Sequence, residues 1–162
     1  TLLFAARALE LAQDVPHDDA LARATDAIDG GAALERFGAM IAAQGGDPRV
    51  LEDPEGVLPR APVREPIVAD RSGFLASVRA EEIGLASVAL GAGRLRKGDR
   101  IDSAVGMVFR PKIGDRLEAG AELGEVHARD REAAAGASAR VLGAIDVADD
   151  RVEPPPLVHV WM

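Results

Sequence analysis

The 162-residue chain contains no cysteine and no tyrosine, one tryptophan and four phenylalanines. Without cysteine there is no disulfide scaffold, no thiolate-ligated zinc and no thiol nucleophile. So few aromatic rings leave no stacking platform for single-stranded nucleic acid. A net charge of −8 disfavours binding to a phosphate backbone as well. Long apolar runs are also missing: no stretch reaches the ~18 uncharged apolar residues of a membrane span, and no signal peptide opens the chain. Lysine occurs only at Lys97 and Lys112, so a lysine-bound carrier would have few attachment points. Hydrophobic residues nonetheless make up 48% of the chain, enough to bury a core. A cytoplasmic protein that binds neither nucleic acid nor membrane is expected.

Charge and pattern change together along the chain. Residues 1–60 hold 11 acids and 5 bases, residues 61–162 hold 16 acids and 14 bases. The first part has helical spacing, the second mostly strands and turns. Thr1 to Leu11 is apolar nearly all round, which predicts a helix buried on more than one side. It starts without a capping segment or an initiator Met, so the chain reads as cut from something longer, and this helix is expected to expose apolar surface without its neighbours. Pro16-His17-Asp18-Asp19 opens a second helix with its acids near the positive end of the dipole. Leu21, Ala24 and Ile28 share one face, and Gly30-Gly31 stop it. A third helix carries Leu34, Phe37, Met40 and Ile41, a stripe expected to pack in the core.

Five prolines between Pro48 and Pro66 predict an extended connector and a domain boundary, because each removes a backbone donor and biases its predecessor away from helix. Ile67–Ala69 and Phe74–Val78 are expected strands around an Asp70–Gly73 turn. Ala80–Leu90 has helical spacing and is stopped by Gly91-Ala92-Gly93. Ile101–Phe109 reads as a strand. Between Lys112 and His127, Gly114 and Gly120 flank Leu117, which predicts two tight turns joined by a short strand. An Ala-rich helix from about Asp130 to Ile145 and a closing strand from Leu157 to Trp161 complete the reading.

Sites are scarce in this pattern. His17, His127 and His159 have no histidine or carboxylate at metal-ligand helical spacing. Asp146, Asp149 and Asp150 lack the glycine and terminal glutamate of a calcium loop and read as a solvated helix end. No serine occupies a G-x-S-x-G elbow. Gly91-Ala92-Gly93-Arg94 follows a helix instead of preceding one, so it reads as a helix-stopping turn and not as a phosphate loop. One basic segment is conspicuous: Arg94, Arg96, Lys97, Arg100, Arg110, Lys112 and Arg116 face only Asp99, Asp102 and Asp115. In an acidic chain it suits a phosphate or an acidic neighbouring domain, or else it is a solvated hairpin of alternating charge.

Two stretches, A-D-R-S-G-F-L-A-S-V (Ala69 to Val78) and I-G-D-R-L-E-A-G-A-E-L (Ile113 to Leu123), resemble the turn-and-strand repeats of the biotinyl/lipoyl carrier fold. Neither lysine lies in the M-K-M or D-K-A context of a carrier. A longer series resembles the C-terminal part of pyrimidine-nucleoside phosphorylases, the family that includes thymidine phosphorylase: A-A-Q-G-G-D (Ala42 to Asp47), Leu58-Pro59, Ser72-Gly73, E-I-G (Glu82 to Gly84), L-G-A-G-R (Leu90 to Arg94), I-D-x-x-V-G (Ile101 to Gly106) and K-I-G-D (Lys112 to Asp115). The likeness runs over nearly the whole chain.

That resemblance implies phosphorolysis, in which a pyrimidine nucleoside and phosphate give free base and a pentose 1-phosphate, without a cofactor. It implies a homodimeric parent whose phosphate and nucleoside are held mainly by residues upstream, the remainder of the parent chain being the partner of this part. The family's K-x-S-x-G-G phosphate loop does not occur in this sequence, so no catalytic, substrate-binding, cofactor-binding or metal residue is carried over. The expected fold is α+β: N-terminal helices followed by a β-rich, hammerhead-like domain on a biotinyl/lipoyl-like scaffold. Residues 1–47 would be a helical segment of the parent's larger α/β domain, 48–66 the proline-rich connector and 67–162 the C-terminal hammerhead domain. The Arg94–Ser103 loop is expected to help set domain closure. The alternative is a non-catalytic binding or carrier module.

Overall fold

A computed structural model describes residues 1–158. It is α+β and divides into two compact units, Thr1–Leu58 and a second that begins at Pro59. That division falls inside the predicted connector. Among the described residues, no helix is long and apolar enough to cross a membrane.

The first unit is helical: α1 (Leu2–Gln13), α2 (His17–Asp29), α3 (Ala32–Ala43), a 3-10 turn (Pro48–Leu51) and the single-turn α4 (Pro54–Val57). Helices α1 and α2 pack together, and their buried residues, Ala6, Ala20 and Ala24, are all small. On α2 the expected face of Leu21, Ala24 and Ile28 is therefore rotated: Ala20 replaces Ile28, which is exposed. The α1 helix forms as expected, but only Ala6 is buried on it, and Leu3, Phe4 and Leu11 are exposed.

The stripe on α3 is likewise not core. Leu34, Phe37 and Met40 are exposed, and α3 has no buried residue. The reason is which side of the helix finds a neighbour. Leu51 of the 3-10 turn lies at Gly38, where an added Cβ would meet its Cδ1 at 3.1 Å, and Gly46 lies against Ile41, so of the stripe only Ile41 is half-buried.

The connector is not extended throughout. Asp47 and Asp53 each stand just before a proline and accept a backbone N–H, from Arg49 at 3.0 Å and from Gly56 at 2.8 Å. Proline at the first helical position forfeits a donor that would be unsatisfied anyway, and the aspartate caps what remains. Pro-rich sequence thus nucleates two short turns here. Its last residues already form strand, with Pro66 inside β1.

Among its described residues the second unit has six strands in two antiparallel sheets, β1-β5-β3 and β4-β2-β6. The strands are β1 (Val63–Val68), β2 (Gly73–Val78), β3 (Gly106–Phe109), β4 (Arg116–Leu117), β5 (Glu122–Ala128) and β6 (Ile145–Ala148). The fully buried Ile67, Leu75, Leu123, Val126 and Val141 form the middle of the core. Helix α5 (Ala80–Ser87) continues into a π-helical turn, Val88–Ala92, and α6 (Arg131–Gly143) packs on β1, β5 and α5. Asp130 caps α6 by accepting the Ala133 N–H at 2.8 Å.

The two expected tight turns are present: Gly114 and Gly120, both at positive φ, bracket β4. Three boundaries differ from expectation. Only Gly106–Phe109 of the Ile101–Phe109 stretch is strand, because Asp102 ties up the Ala104 amide in a turn. The Ala-rich helix ends at Gly143, and Ile145 starts β6, whose partner β2 lies far away in sequence. At the closing strand expected from Leu157 to Trp161, Leu157 and Val158 are in no strand, and 159–162, with His159 and Trp161, lie outside the described residues.

Candidate functional site

The best-organised surface feature surrounds the end of α5. Here the helix widens into the π-helical turn and is ended by Gly91 at φ 108°, a conformation that disfavours any side chain. Turns of this kind are frequent at functional sites. The chain then leaves as an exposed loop and returns at Asp102, whose N–H donates to the Gly91 carbonyl at 3.0 Å. This bond closes the neck of the loop. Arg129, just after β5, reaches across it: its Nη2 donates to the Leu90 carbonyl at 3.1 Å, and its Nε lies 4.0 Å from Asp102 Oδ2. A Cβ at Gly91 would stand 2.8 Å from the same Nη2. Asp102 also accepts the Ala104 N–H at 3.0 Å.

Inside the loop, Asp99 accepts the N–H groups of Leu95 and Arg96 at 3.1 and 2.8 Å. Its single carboxylate is thereby committed to backbone. Arg94, Arg96, Lys97 and Arg100 project as exposed cations, with no side-chain partner among the described residues. The rest of the predicted basic segment behaves differently. Arg110 pairs with Glu122 at 2.9 Å and Arg116 with Glu118 at 2.8 Å, while Lys112 offers its backbone N–H to Asp115 at 2.8 Å. The seven bases therefore split into a loop of four unpaired cations and a stretch in which Arg110 and Arg116 are paired and Lys112 engages only its backbone N–H. Lys97 lies in the loop between the π-helical turn and β3, and Lys112 lies between β3 and β4 of different sheets. Neither stands at the tip of a β-hairpin, the place a carrier lysine needs.

The histidines and aspartates are dispersed. His17 at the start of α2 bonds Glu10, which also pairs with Arg7 at 2.5 Å. The His17 hydrogen bond, then Arg7, holds the Glu10 carboxyl below its ordinary range. On β5, His127 is half-buried and bonds Glu125. Asp146 accepts from Ser77 and, at 3.1 Å, from Arg79; these two hydrogen bonds, in that order, hold its carboxyl low. Asp149 pairs instead with Arg71. Asp146, Asp149 and Asp150 do not converge, and among the described residues no group of three His, Cys, Asp or Glu side chains could hold a metal ion.

Sequence reasoning missed Arg129. In H-A-R-D it looks like a charge at a helix start, and nothing in its neighbours points 39 residues back to Leu90. Asp102 was visible in I-D-x-x-V-G, but its bond to Gly91 was not.

The comparisons with known proteins bear on the same region. Residues 74–148, from β2 through β6, match the family model "Pyrimidine nucleoside phosphorylase C-terminal domain". The chain is 43% identical over 147 residues to a thymidine phosphorylase of Burkholderia orbicola (strain MC0-3), covering 91% of this chain and 33% of that protein. It is 42% identical over 142 residues to a pyrimidine-nucleoside phosphorylase of Staphylococcus aureus (strain bovine RF122 / ET3-1), covering 88% and 32%. With a thymidine phosphorylase of Sinorhizobium fredii (strain NBRC 101917 / NGR234) it shares 36% identity over 158 residues, covering 97% and 36%. The chain spans about a third of the length of the curated relatives it matches. Residues 74–148 thus belong to the pyrimidine nucleoside phosphorylase C-terminal domain family, and the chain corresponds to the C-terminal part of a pyrimidine-nucleoside/thymidine phosphorylase family protein.

Proposed function

We propose that the chain serves a pyrimidine-nucleoside phosphorylase, a cytoplasmic, homodimeric pentosyltransferase that converts a pyrimidine nucleoside and phosphate into free base and pentose 1-phosphate. The names of its relatives support the reaction class. Phosphorolysis needs an anion held against an oxocarbenium-like sugar, which is electrostatic work. This sequence contains no K-x-S-x-G-G loop, so that work falls to the remainder of the parent chain. The part described here acts on arrangement: the Arg94–Ser103 loop, cationic in an acidic protein, helps set the closed state of the cleft.

The proposed scaffold of the second unit is hammerhead-like, of the biotinyl/lipoyl type. It is carried by how the two repeat-like stretches meet. Ala69 and Ala121 exchange backbone contact through Ala69 N–H to the Ala121 carbonyl at 2.9 Å, and Gly120 N–H returns to the Ala69 carbonyl at 2.9 Å. Leu75 does the same with the Gly114–Asp115 turn, donating to Asp115 at 2.9 Å and accepting from Gly114 at 2.8 Å. Ser72 Oγ accepts the Ala119 N–H at 2.9 Å between these two points. Two turn-and-strand units are thus bonded backbone to backbone, which supports this reading.

The test compares the 162-residue chain with the complete protein proposed to contain it. Phosphate-dependent release of thymine or uracil is expected from the complete protein and not from the chain alone. Within the complete protein, Arg94→Ala, Arg96→Ala and Lys97→Ala together should lower turnover with little change in melting temperature, since exposed charges contribute only ~0–1 kcal/mol to stability. Base release by the chain alone, or wild-type turnover in the triple variant, would overturn this reading.

A further inference from the structure

We propose that Arg129 is a positioning residue that clasps the neck of the basic loop and thereby holds Arg94, Arg96, Lys97 and Arg100 on one preformed surface. The inference rests on the closure reading for its functional consequence, and on geometry alone for the clasp itself.

Four observations meet at one point. The Leu90 carbonyl belongs to the last residues of the helical run, where carbonyls lose their helical partners, and Arg129 Nη2 satisfies it at 3.1 Å. Gly91 has no side chain, and its missing Cβ leaves the space that the guanidinium enters. Asp102, the residue that closes the neck through the Gly91 carbonyl, faces Arg129 Nε at 4.0 Å. Arg129 itself is rigidly based, between the buried Ala128 that ends β5 and the Asp130 cap of α6. A planar guanidinium can serve a carbonyl and a carboxylate at once, which an ammonium point charge does less well. The two ends of the loop are therefore tied to each other and, through Arg129, to the core. Between Gly91 and Asp102 the one carboxylate, Asp99, is spent on backbone. What the clasp presents is positive charge already arranged, so the ordering entropy of meeting an acidic surface is reduced before contact.

The direct reporter is the Asp102 amide, because its bond to Gly91 is the neck. Amide exchange on the 162-residue chain would be followed at Asp102 and, as an internal reference for the core, at Leu75, whose N–H is bonded to Asp115. Arg129→Met keeps the aliphatic stem and removes the donors. It should speed exchange at Asp102 by about tenfold while Leu75 stays as in the wild type; a charge-assisted hydrogen bond of ordinary strength corresponds to that factor. Arg129→Lys should fall between the two. Gly91→Ala leaves Arg129 in the chain but displaces its guanidinium, and should speed Asp102 exchange as well. Unchanged Asp102 exchange in Arg129→Met, or in a folded Gly91→Ala if the first variant fails to fold, overturns the clasp. Arg129→Met in the complete protein then tests the reading beneath it, with a severalfold loss of kcat expected. Faster Asp102 exchange with unchanged kcat would establish the clasp and overturn the closure role of the loop.

Discussion

Gly124 admits the Val108 carbonyl where no other residue could: a Cβ on Gly124 would stand 1.9 Å from that oxygen and 3.1 Å from the Phe109 Cα. The two residues lie on paired strands β5 and β3, where the core side chains Leu123 and Val126 are buried. Backbone occupies the space, so relief requires moving a strand and not a side chain.

Gly124→Ala should therefore unfold or strongly destabilise the second unit, by more than the ~1–3 kcal/mol of a tolerable overpacking change. Gly136→Ala is its control. Gly136 lies within α6 with nothing within 4 Å of an added Cβ, so the gain in helix propensity should stabilise by about 0.5–1 kcal/mol. Chemical denaturation of both variants checks the opposite signs.

Core and loop leucines should separate as clearly. Leu75 is fully buried on β2, whereas Leu95 in the basic loop is 75% exposed. Leu75→Ala is expected to cost about 2–5 kcal/mol through lost burial and the cavity left behind. Leu95→Ala should stay within about 0.5 kcal/mol. Equal losses in denaturant titrations would contradict the burial described here.

Asp146 sets a pH dependence of definite sign. Its carboxyl is held low by Ser77 and then Arg79, so its stabilising contribution is full above the ordinary carboxylate range and is lost as pH falls through its depressed folded value. Asp146→Asn removes the titration but keeps an acceptor for Ser77. The difference in melting temperature between wild type and variant should shrink on acidification. A difference that stays constant from neutral pH into the acid limb would count against the assignment.

Exposed apolar side chains on α1 and α3 predict association between copies. Leu3 and Leu11 on the first helix, with Leu34, Phe37 and Met40 on the third, lie open, and hiding each fully is worth roughly 1.5–3 kcal/mol. Sedimentation of the 162-residue chain should depend on concentration, and Leu11→Lys with Phe37→Lys should weaken that dependence. A monomer at high concentration, with slow amide exchange throughout α1, would oppose the prediction.

Local chemistry made much of this chain legible from residues alone. Helix starts and stops followed from Pro16, Asp130 and Gly30-Gly31, and the two turns around β4 from Gly114 and Gly120, because caps and positive φ act over a few residues. The family resemblance was legible too, since its short motifs keep their order. Local signals misled where proline was plentiful. Pro48 and Pro54 each follow an aspartate, and an Asp-Pro pair starts a helical turn as readily as it breaks one.

Tertiary structure decided the rest, and the reason is distance along the chain. Whether the Leu34–Met40 stripe was core depended on which elements fold against α3, and the neighbours it found, Leu51 at Gly38 and Gly46 at Ile41, leave Leu34, Phe37 and Met40 exposed. The strand at Ile145–Ala148 exists because β2 lies beside it, pairing Val78 with Ile145 and Phe74 with Ala148. The seven bases from Arg94 to Arg116 were equivalent on paper until Glu122 and Glu118 neutralised two of them and left the loop charged. Arg129 acquired its role only when folding placed it against Leu90 and Gly91. Periodicity and capping are properties of neighbouring residues, whereas a clasp between β5 and the end of α5 depends on a packed core bringing remote backbone within hydrogen-bond reach.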